Sequence, residues 1–205
     1  MTIPNGVDLD YFRPYDTESD GKTCLFVGNL GAGNGRYVEI FVDTVWRKLM
    51  KKHPNSKLLL VGKGIKASLK NMCSKIGGIE YLGYVHDLRS IYGRSLIVVN
   101  PVLKSCGIVN KVLEGMAMAR TVVGFSVGFS GIPECVNGEN VVMCSEPDEL
   151  VDALDILFRK PALAIKIGIE ARKMVEKYYS WKARKRLING LYEEAYESFQ
   201  KVIFN

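Results

Sequence analysis

The sequence has little of the chemistry that metal sites and disulfide frameworks require. Its 205 residues include only two histidines, His53 and His86, which are too few for a convincing metal cluster. The cysteines number five, which is odd, and no two of them have CxxC spacing. A disulfide scaffold or a zinc ribbon is therefore not indicated. We expect reduced thiols, a cytoplasmic location, and no metal or other cofactor.

Long apolar runs are also missing. No segment approaches the roughly 18 apolar residues of a membrane-spanning helix, and residues 1–12 have neither the basic start nor the apolar core of a signal peptide. The 28 Lys and Arg residues exceed the 22 Asp and Glu residues, giving a net charge of +6. This moderate excess suits a phosphate-bearing ligand and is compatible with peripheral membrane association. No aromatic–basic recognition motif is present, so we expect no nucleic-acid partner.

Short apolar strands alternate with helices six times along the chain. Strands are predicted at about residues 24–27, 57–61, 79–82, 95–100, 121–125 and 140–143, and helices at about 36–52, 65–76, 88–93, 107–119, 147–158, 162–178 and 181–201. Because the strands are apolar on both faces, we predict an α/β fold: a Rossmann-like doubly wound parallel sheet of about six strands with C-terminal helices. Ligands of such sheets bind beyond the carboxyl ends of the strands.

Glycine is concentrated at those predicted strand ends. The first strand runs into GNLGAGNG (residues 28–35), where four glycines in eight positions allow a ligand to approach the backbone closely. A dinucleotide-binding module of an oxidoreductase is one interpretation. Against it, the spacing is GxxGxG rather than GxGxxG, and no acidic residue ends the second strand.

The stretch of residues 100–124 combines a strand end, a loop, an apolar helix and the next strand. The helix is predicted to open at Gly107, Ile108 and Val109, and Glu114 is its one acidic residue. A carboxylate in so apolar a helix needs a polar partner or a cleft. Two interpretations follow from periodicity alone: a buried helix whose Glu114 has a local partner, or a ligand site with anion-binding amides and a hydroxyl-binding carboxylate.

Taken in order, these segments resemble the C-terminal half of the group 1 glycosyltransferases, which are retaining enzymes of GT-B fold. The matching segments are IPNGVDLDYFRP (3–14), LFVGNL (25–30), LLLVGKG (58–64), YLGYVHDL (81–88), IVVNP (97–101), GIVNKVLEGMAMARTVVG (107–124) and FSGIPECV (129–136). The resemblance covers nearly the whole chain. Within it, the Gly-Ile-x-Asn-Lys run resembles a subgroup of exopolysaccharide sugar transferases and implies a role in polysaccharide biosynthesis.

The resemblance implies that this half binds a nucleotide-activated sugar, either a UDP-sugar or a GDP-sugar. Glu114 occupies the position of a glutamate that holds the ribose hydroxyls, a role suited to a carboxylate that accepts two charge-assisted hydrogen bonds. The diphosphate is expected at the amides that open the Glu114 helix, and the base against the loop after the third strand. The implied donor-binding residues are Gly28, Asn29, Gly31, Tyr84, Val85, Asp87, Cys106, Gly107, Ile108, Val109, Lys111 and Glu114.

The sequence departs from the family pattern at two places. Cys106 stands where the family often has a second glutamate, eight positions before Glu114, so the catalytic residues stay unassigned. The usual arginine and lysine of the first loop are replaced by Asn29 and Asn34. The candidate replacements are Arg36, Lys104 and Lys111, although Lys111 also fits a surface lysine of a helix. Asp87 has an alternative interpretation too, as a helix cap.

The resemblance also implies a domain organisation. We expect an interdomain linker at residues 1–21, a nucleotide-sugar-binding domain at 22–179, and a helix at 180–205 that packs towards a second domain. That domain would be an N-terminal acceptor-binding domain on the same or a separate chain. Two functions stay open: the donor-binding half of a hexosyltransferase acting on a glycan or lipid-linked acceptor, and a non-catalytic nucleotide-sugar-binding or assembly subunit.

Overall fold

The strands form one parallel sheet in a computed structural model that describes residues 4–14, 19–31, 33–104 and 107–203. The sheet has the order β3-β2-β1-β4-β5-β6, and every described pairing is parallel. The strands are β1 (Thr23–Val27), β2 (Lys57–Val61), β3 (Ile79–Gly83), β4 (Ile97–Asn100), β5 (Thr121–Phe125) and β6 (Val142–Cys144). The predicted doubly wound α/β sheet is therefore confirmed.

Both faces of the sheet are covered, as the apolar strands require. Successive side chains of a strand point to opposite faces. Leu25 of β1 accordingly packs into one hydrophobic cluster with Met116, whereas its neighbour Phe26 packs into another with Trp46. All four side chains are buried. The two clusters are the cores on the two faces, and they hold the strand ends in fixed relative positions.

Helices connect the strands and flank the sheet. They are α1 (Gly33–Phe41), α2 (Arg47–Lys52), α3 (Ala67–Ile76), α4 (Arg89–Arg94), α5 (Asn110–Ala117), α6 (Pro147–Arg159), α7 (Pro161–Tyr178) and α8 (Trp181–Ile203), with a 3₁₀ turn at Ser126–Phe129. A π-helical turn, Val42–Trp46, joins α1 to α2 inside the region predicted as one regular helix. It places Val42, Val45 and Trp46 in the core.

The strand order reverses between β1 and β4. The chain proceeds from β1 outward to β3 on one side, then returns to build β4, β5 and β6 on the other. Loops after β1 and β4 therefore leave the sheet in opposite directions, which opens a crevice at the carboxyl ends of these two strands. The helix α5, which carries Glu114, begins beside this crevice because it connects β4 to β5.

The segment of residues 4–14 packs on the domain. The Val7 N–H donates to the Tyr179 carbonyl at 2.8 Å, and Val7 is buried. The Asn5 amide donates to Asn110 Oδ1 at 2.8 Å, which links the segment to the start of α5. Its role as an interdomain linker stays a prediction.

The last helix, α8, begins where the sequence predicted a cap. The Ala183 N–H donates to Ser180 Oγ at 3.1 Å, which satisfies a first-turn amide and confirms Ser180 as the capping side chain. Further along, Tyr192, Tyr196 and Phe199 are exposed. In the part of the chain that the structure describes, no helix is both long enough and apolar enough to cross a bilayer.

Candidate functional site

A largely apolar cavity of about 340 Å³ opens at the carboxyl ends of β1, β2 and β3. This volume is within the range of small-molecule sites in proteins. The lining residues are Val27, Gly28, Asn29, Val61, Gly62, Lys63, Tyr84, Val85 and Leu88. We name this space the strand-end cavity. Four predicted donor-binding residues, Gly28, Asn29, Tyr84 and Val85, therefore come together there, although they come from two loops far apart in the sequence.

Backbone hydrogen bonds between neighbouring loops give the strand-end cavity its floor. The Gly28 N–H donates to the Val61 carbonyl at 2.9 Å, and the Gly62 N–H donates to the Gly83 carbonyl at 2.7 Å. The Gly31 N–H donates to the Asn29 side chain at 2.8 Å. The amides of Gly28 and Gly31 thus have acceptors within the protein. That these glycines also admit phosphate groups stays a prediction.

Tyr84 stands at the mouth of the strand-end cavity. Its side chain is 64% exposed, which is high for an aromatic ring beside an apolar cavity. The Lys63 ammonium lies 4.5 Å from the centroid of this ring, so the lysine and the tyrosine form a cation–π pair across the opening. The sequence identified Tyr84 but gave no sign that Lys63 would lie over it.

Asp87 directly precedes Leu88, which is the N-cap residue of α4. Its carboxylate accepts the Arg89 backbone N–H at 3.0 Å and the Arg89 guanidinium at 2.6 and 2.9 Å. The hydrogen bonds from Arg89 are the main reason that the pKa of Asp87 is lowered well below its ordinary value. The Tyr11 hydroxyl also donates to it, at 3.4 Å. Asp87 thus satisfies the first amide of α4 from the position before the N-cap, and contact with a base stays a prediction.

Glu114 has a local partner and also lines a cavity. The Tyr92 hydroxyl donates to Glu114 Oε2 at 2.9 Å. A space of about 100 Å³ lies beside the carboxylate, which we name the carboxylate cavity. Its other walls are Gly6, Val7, Asp8, Phe12, Asn110 and Leu113. The interpretation with a local partner is thus confirmed, and the ligand-site interpretation stays a prediction, although the carboxylate lines a cavity.

Burial dominates the electrostatics of Glu114. Desolvation raises the pKa of its carboxyl above the ordinary 4.5, while the Tyr92 hydrogen bond and the Lys111 charge act in the opposite direction. Tyr92 is itself buried, and its own pKa is raised by desolvation and by the adjacent carboxylate. An ionised Glu114 therefore costs the folded state free energy, which a ligand that donates hydrogen bonds to it would offset.

This burial gives folding stability a pH dependence that Glu114→Gln should remove. A carboxyl with a raised folded-state pKa stabilises the fold below pH 4.5, its ordinary pKa, and this stability is lost as the pH rises through the folded-state value. We expect the difference in free energy of unfolding, Glu114→Gln minus wild type, to increase as the pH rises above about 4.5. Urea unfolding at each pH measures it. Glu80→Gln, at an exposed position of β3, is the control and should show a constant difference; the opposite trend for Glu114→Gln would refute this account.

The helix α5 begins later than the sequence predicted. Its first residue is Asn110, and Gly107 to Val109 precede it instead of opening it. The reason is conformational: Gly107 has a left-handed φ of +70°, and Val109 is extended. The amides of the first helical turn therefore belong to Asn110 and Lys111. Among the described residues no side chain caps this helix.

The backbone before α5 is held by the loop after β5. A Cβ on Gly131 would lie 2.2 Å from the Gly107 carbonyl carbon and 2.6 Å from the Ile108 nitrogen, so only glycine permits this approach. The buried Asn100 side chain, at the end of β4, donates to the Gly128 carbonyl at 3.0 Å and positions the same loop. Asn100 and Gly131 thus set the placement of Gly107 and Ile108, a role that the sequence alone did not indicate.

Comparisons with known proteins identify the family of this chain. Residues 21–160 match the model of the family described as glycosyl transferases group 1. The chain belongs to the group 1 glycosyl transferases. It is 29% identical over 166 residues to an uncharacterized glycosyltransferase of Haemophilus influenzae, covering 78% of this chain and 46% of the relative. The chain spans about half the length of the curated relatives it matches, 46% and 51%.

Solved structures of the GT-B fold resemble the chain closely in shape. Anabaena HepE in complex with UDP-glucose has a TM-score of 0.76 at 15% identity, over 94% of this chain and 57% of that one. The C-terminal domain of a group 1 family protein from Francisella tularensis has a TM-score of 0.67 at 22% identity, over 86% of this chain and 100% of that one. Identities this low show the fold alone.

Two features of this group 1 transferase domain bear on the departures from the family pattern. Cys106, at the position of the family's second glutamate, lies outside the described residues. Arg36, one candidate replacement for the missing basic residues, is exposed and pairs with Glu39 at 3.6 Å.

Among the described residues, no group of three or more His, Cys, Asp or Glu side chains is arranged to hold a metal ion. Metal independence stays a prediction.

Proposed function

We propose that this chain is the donor-binding half of a retaining glycosyltransferase. The intact enzyme would transfer a hexosyl group from a UDP- or GDP-sugar to a glycan or lipid-linked acceptor, without a metal. One arrangement carries the proposal: the partly buried Glu114 carboxylate faces a cavity at the start of α5, beside the crevice where the strand order reverses. Family membership supplies the reaction class.

The two cavities suit the two ends of a nucleoside. The strand-end cavity is mostly apolar, with backbone groups at its rim, which suits the flat face of a base. The carboxylate cavity offers an acceptor for the vicinal hydroxyls of ribose, and these bonds would be charge-assisted. HepE has UDP-glucose bound in a structure of the same fold, which supports a uridine nucleotide as the first choice.

The proposed chemistry is electrostatic. Donors at the start of α5 would stabilise the negative charge that collects on the departing diphosphate. Acceptor contacts would come from a second, N-terminal domain on the same or a separate chain. An acceptor of the exopolysaccharide type follows from the Asn110-Lys111 resemblance, and the domain bounds of 1–21, 22–179 and 180–205 belong to the same proposal.

Calorimetric titration of the chain with UDP, GDP and NAD tests this proposal. We expect saturable binding of UDP or GDP that competes with the matching nucleotide sugar, and much weaker binding of NAD. A half-enzyme should show little or no sugar transfer until an acceptor-binding domain is supplied. Absence of binding by both diphosphates, or tighter binding of NAD, would contradict the donor-binding function.

A further inference from the structure

Lys111 extends from the first turn of α5 towards the end of β1. Its ammonium lies 4.6 Å from the centroid of the buried Phe26 ring. The same nitrogen is 3.3 Å from the position that a Cβ on Gly28 would occupy. Gly28 lines the strand-end cavity. The lysine is partly buried, and it crosses the crevice between the start of α5 and the first glycine loop.

Lys111 also neighbours Glu114. The two residues are three positions apart on α5, so they lie on adjacent turns of one helix face. The lysine charge acts on the carboxyl, since it opposes the rise of the pKa of Glu114. The ammonium is therefore close both to Gly28 of the first glycine loop and to Glu114 of α5. In a nucleoside diphosphate the diphosphate is attached to the ribose, so a ribose held at Glu114 would leave its diphosphate near the start of α5.

The surrounding sequence offers little other positive charge at this point. Residues 23–35, which form β1 and the first glycine loop, contain no Lys or Arg. The next cation along the chain, Arg36, has its ion pair with Glu39. Lys63 lies over the Tyr84 ring at the mouth of the strand-end cavity. A diphosphate in the crevice would need a compensating cation, because isolated charge in a partly buried site is costly.

We propose that the Lys111 ammonium binds the diphosphate of the nucleotide sugar, together with the first-turn amides of α5. This inference rests on the proposed function, because it assumes that the ribose of the nucleotide binds at Glu114. Lys111 is therefore a substrate-binding residue, and its contact with Phe26 holds the ammonium above Gly28. Because the ammonium would contact the phosphates and not the nucleoside, loss of the lysine should weaken the binding of UDP and leave that of uridine unchanged.

The test compares uridine and UDP as ligands of the wild type and of Lys111→Gln. We expect the affinity for UDP to fall by about 10- to 100-fold, and the affinity for uridine to stay within about twofold. The affinity for UDP should also depend less steeply on salt in the variant. Lys111→Arg should retain part of the UDP affinity, since it keeps the charge. If the wild type prefers GDP, the same comparison is made with guanosine and GDP in place of uridine and UDP.

Two variants remove the other candidate cations, and a third serves as the control. Lys104→Gln and Arg36→Gln change exposed residues that the sequence also offered for the diphosphate, and Lys70→Gln changes an exposed residue of α3; all three should leave UDP affinity within about twofold. Unchanged UDP affinity in Lys111→Gln, an equal loss for uridine and UDP, or a UDP-specific loss in a control variant would overturn the Lys111 assignment and leave the proposed function standing. A wild type that binds uridine and UDP equally would overturn it too. No binding of either diphosphate to the wild type would instead contradict both proposals.

Discussion

Replacing Glu114 by alanine is expected to weaken UDP binding by about 100-fold or more. The carboxylate would accept hydrogen bonds from two ribose hydroxyls, and hydrogen bonds to a charged group contribute about 1.5–3 kcal/mol each. The fold should survive, because the substitution removes a partly buried charge whose pKa is raised by desolvation. Titration calorimetry with UDP gives the affinity, and thermal unfolding checks that the variant is folded.

A nucleotide without ribose hydroxyls separates a direct contact from an indirect one. For the wild type, 2′,3′-dideoxy-UDP should bind about 100-fold more weakly than UDP, whereas Glu114→Ala should bind the two equally. Glu80→Ala, at an exposed site on β3, should behave like the wild type. If Glu114→Ala still discriminates between the two nucleotides, the ribose assignment is wrong.

Replacing Gly62 by alanine should destabilise the fold by about 3 kcal/mol or more. Gly62 has a φ of +139°, where side chains are strained, and its new Cβ would lie 1.8 Å from the Gly28 carbonyl oxygen. The Gly62 N–H also donates to the Gly83 carbonyl, so movement would break the link between the β2 and β3 ends. Urea unfolding measures the loss, and UDP affinity should fall with it because both loops line the strand-end cavity.

Gly77→Ala isolates the contribution of conformation from that of the clash. Gly77 also has a positive φ, +79°, but nothing lies within 4 Å of its added Cβ. Its cost should therefore be only the conformational one, about 1–3 kcal/mol, because its ψ of 169° lies in a region that side chains avoid. Equal losses for Gly62→Ala and Gly77→Ala would show that the close approach of the β1 and β2 loops does not contribute to stability.

The fold was predictable because its signals are local. Six short apolar segments separated by helical patterns already require a parallel sheet covered on both faces, and the strands were placed within two residues of their observed ends. The predicted start of α5 was wrong, because the conformation of the backbone overrides the hydrophobic pattern there. The apolar residues Ile108 and Val109 continue the helical pattern of the sequence. A hydrophobic pattern carries no information about the backbone angle φ, however, and Gly107 has a φ in the left-handed region.

Four predicted site residues do line one cavity, but the contacts of the candidate site were not predictable from the sequence. The bond from Tyr92 to Glu114 joins two helices separated by a whole strand, and nothing in the sequence near either residue indicates it. The closure of the carboxylate cavity by residues 6–12 depends on packing of the N-terminal segment against α7, which is equally long-range. Lys111 illustrates the same limit: its helical position fits a surface lysine, and only the tertiary structure brings its ammonium to Gly28.

The position of bound UDP in a crystal of this chain tests the central claim most directly. The account predicts the base in the strand-end cavity, the ribose hydroxyls within about 2.5–3.0 Å of the Glu114 carboxylate, and the diphosphate between Lys111 and the start of α5. Density for UDP at any other place, or a nucleotide whose ribose does not contact Glu114, would contradict it.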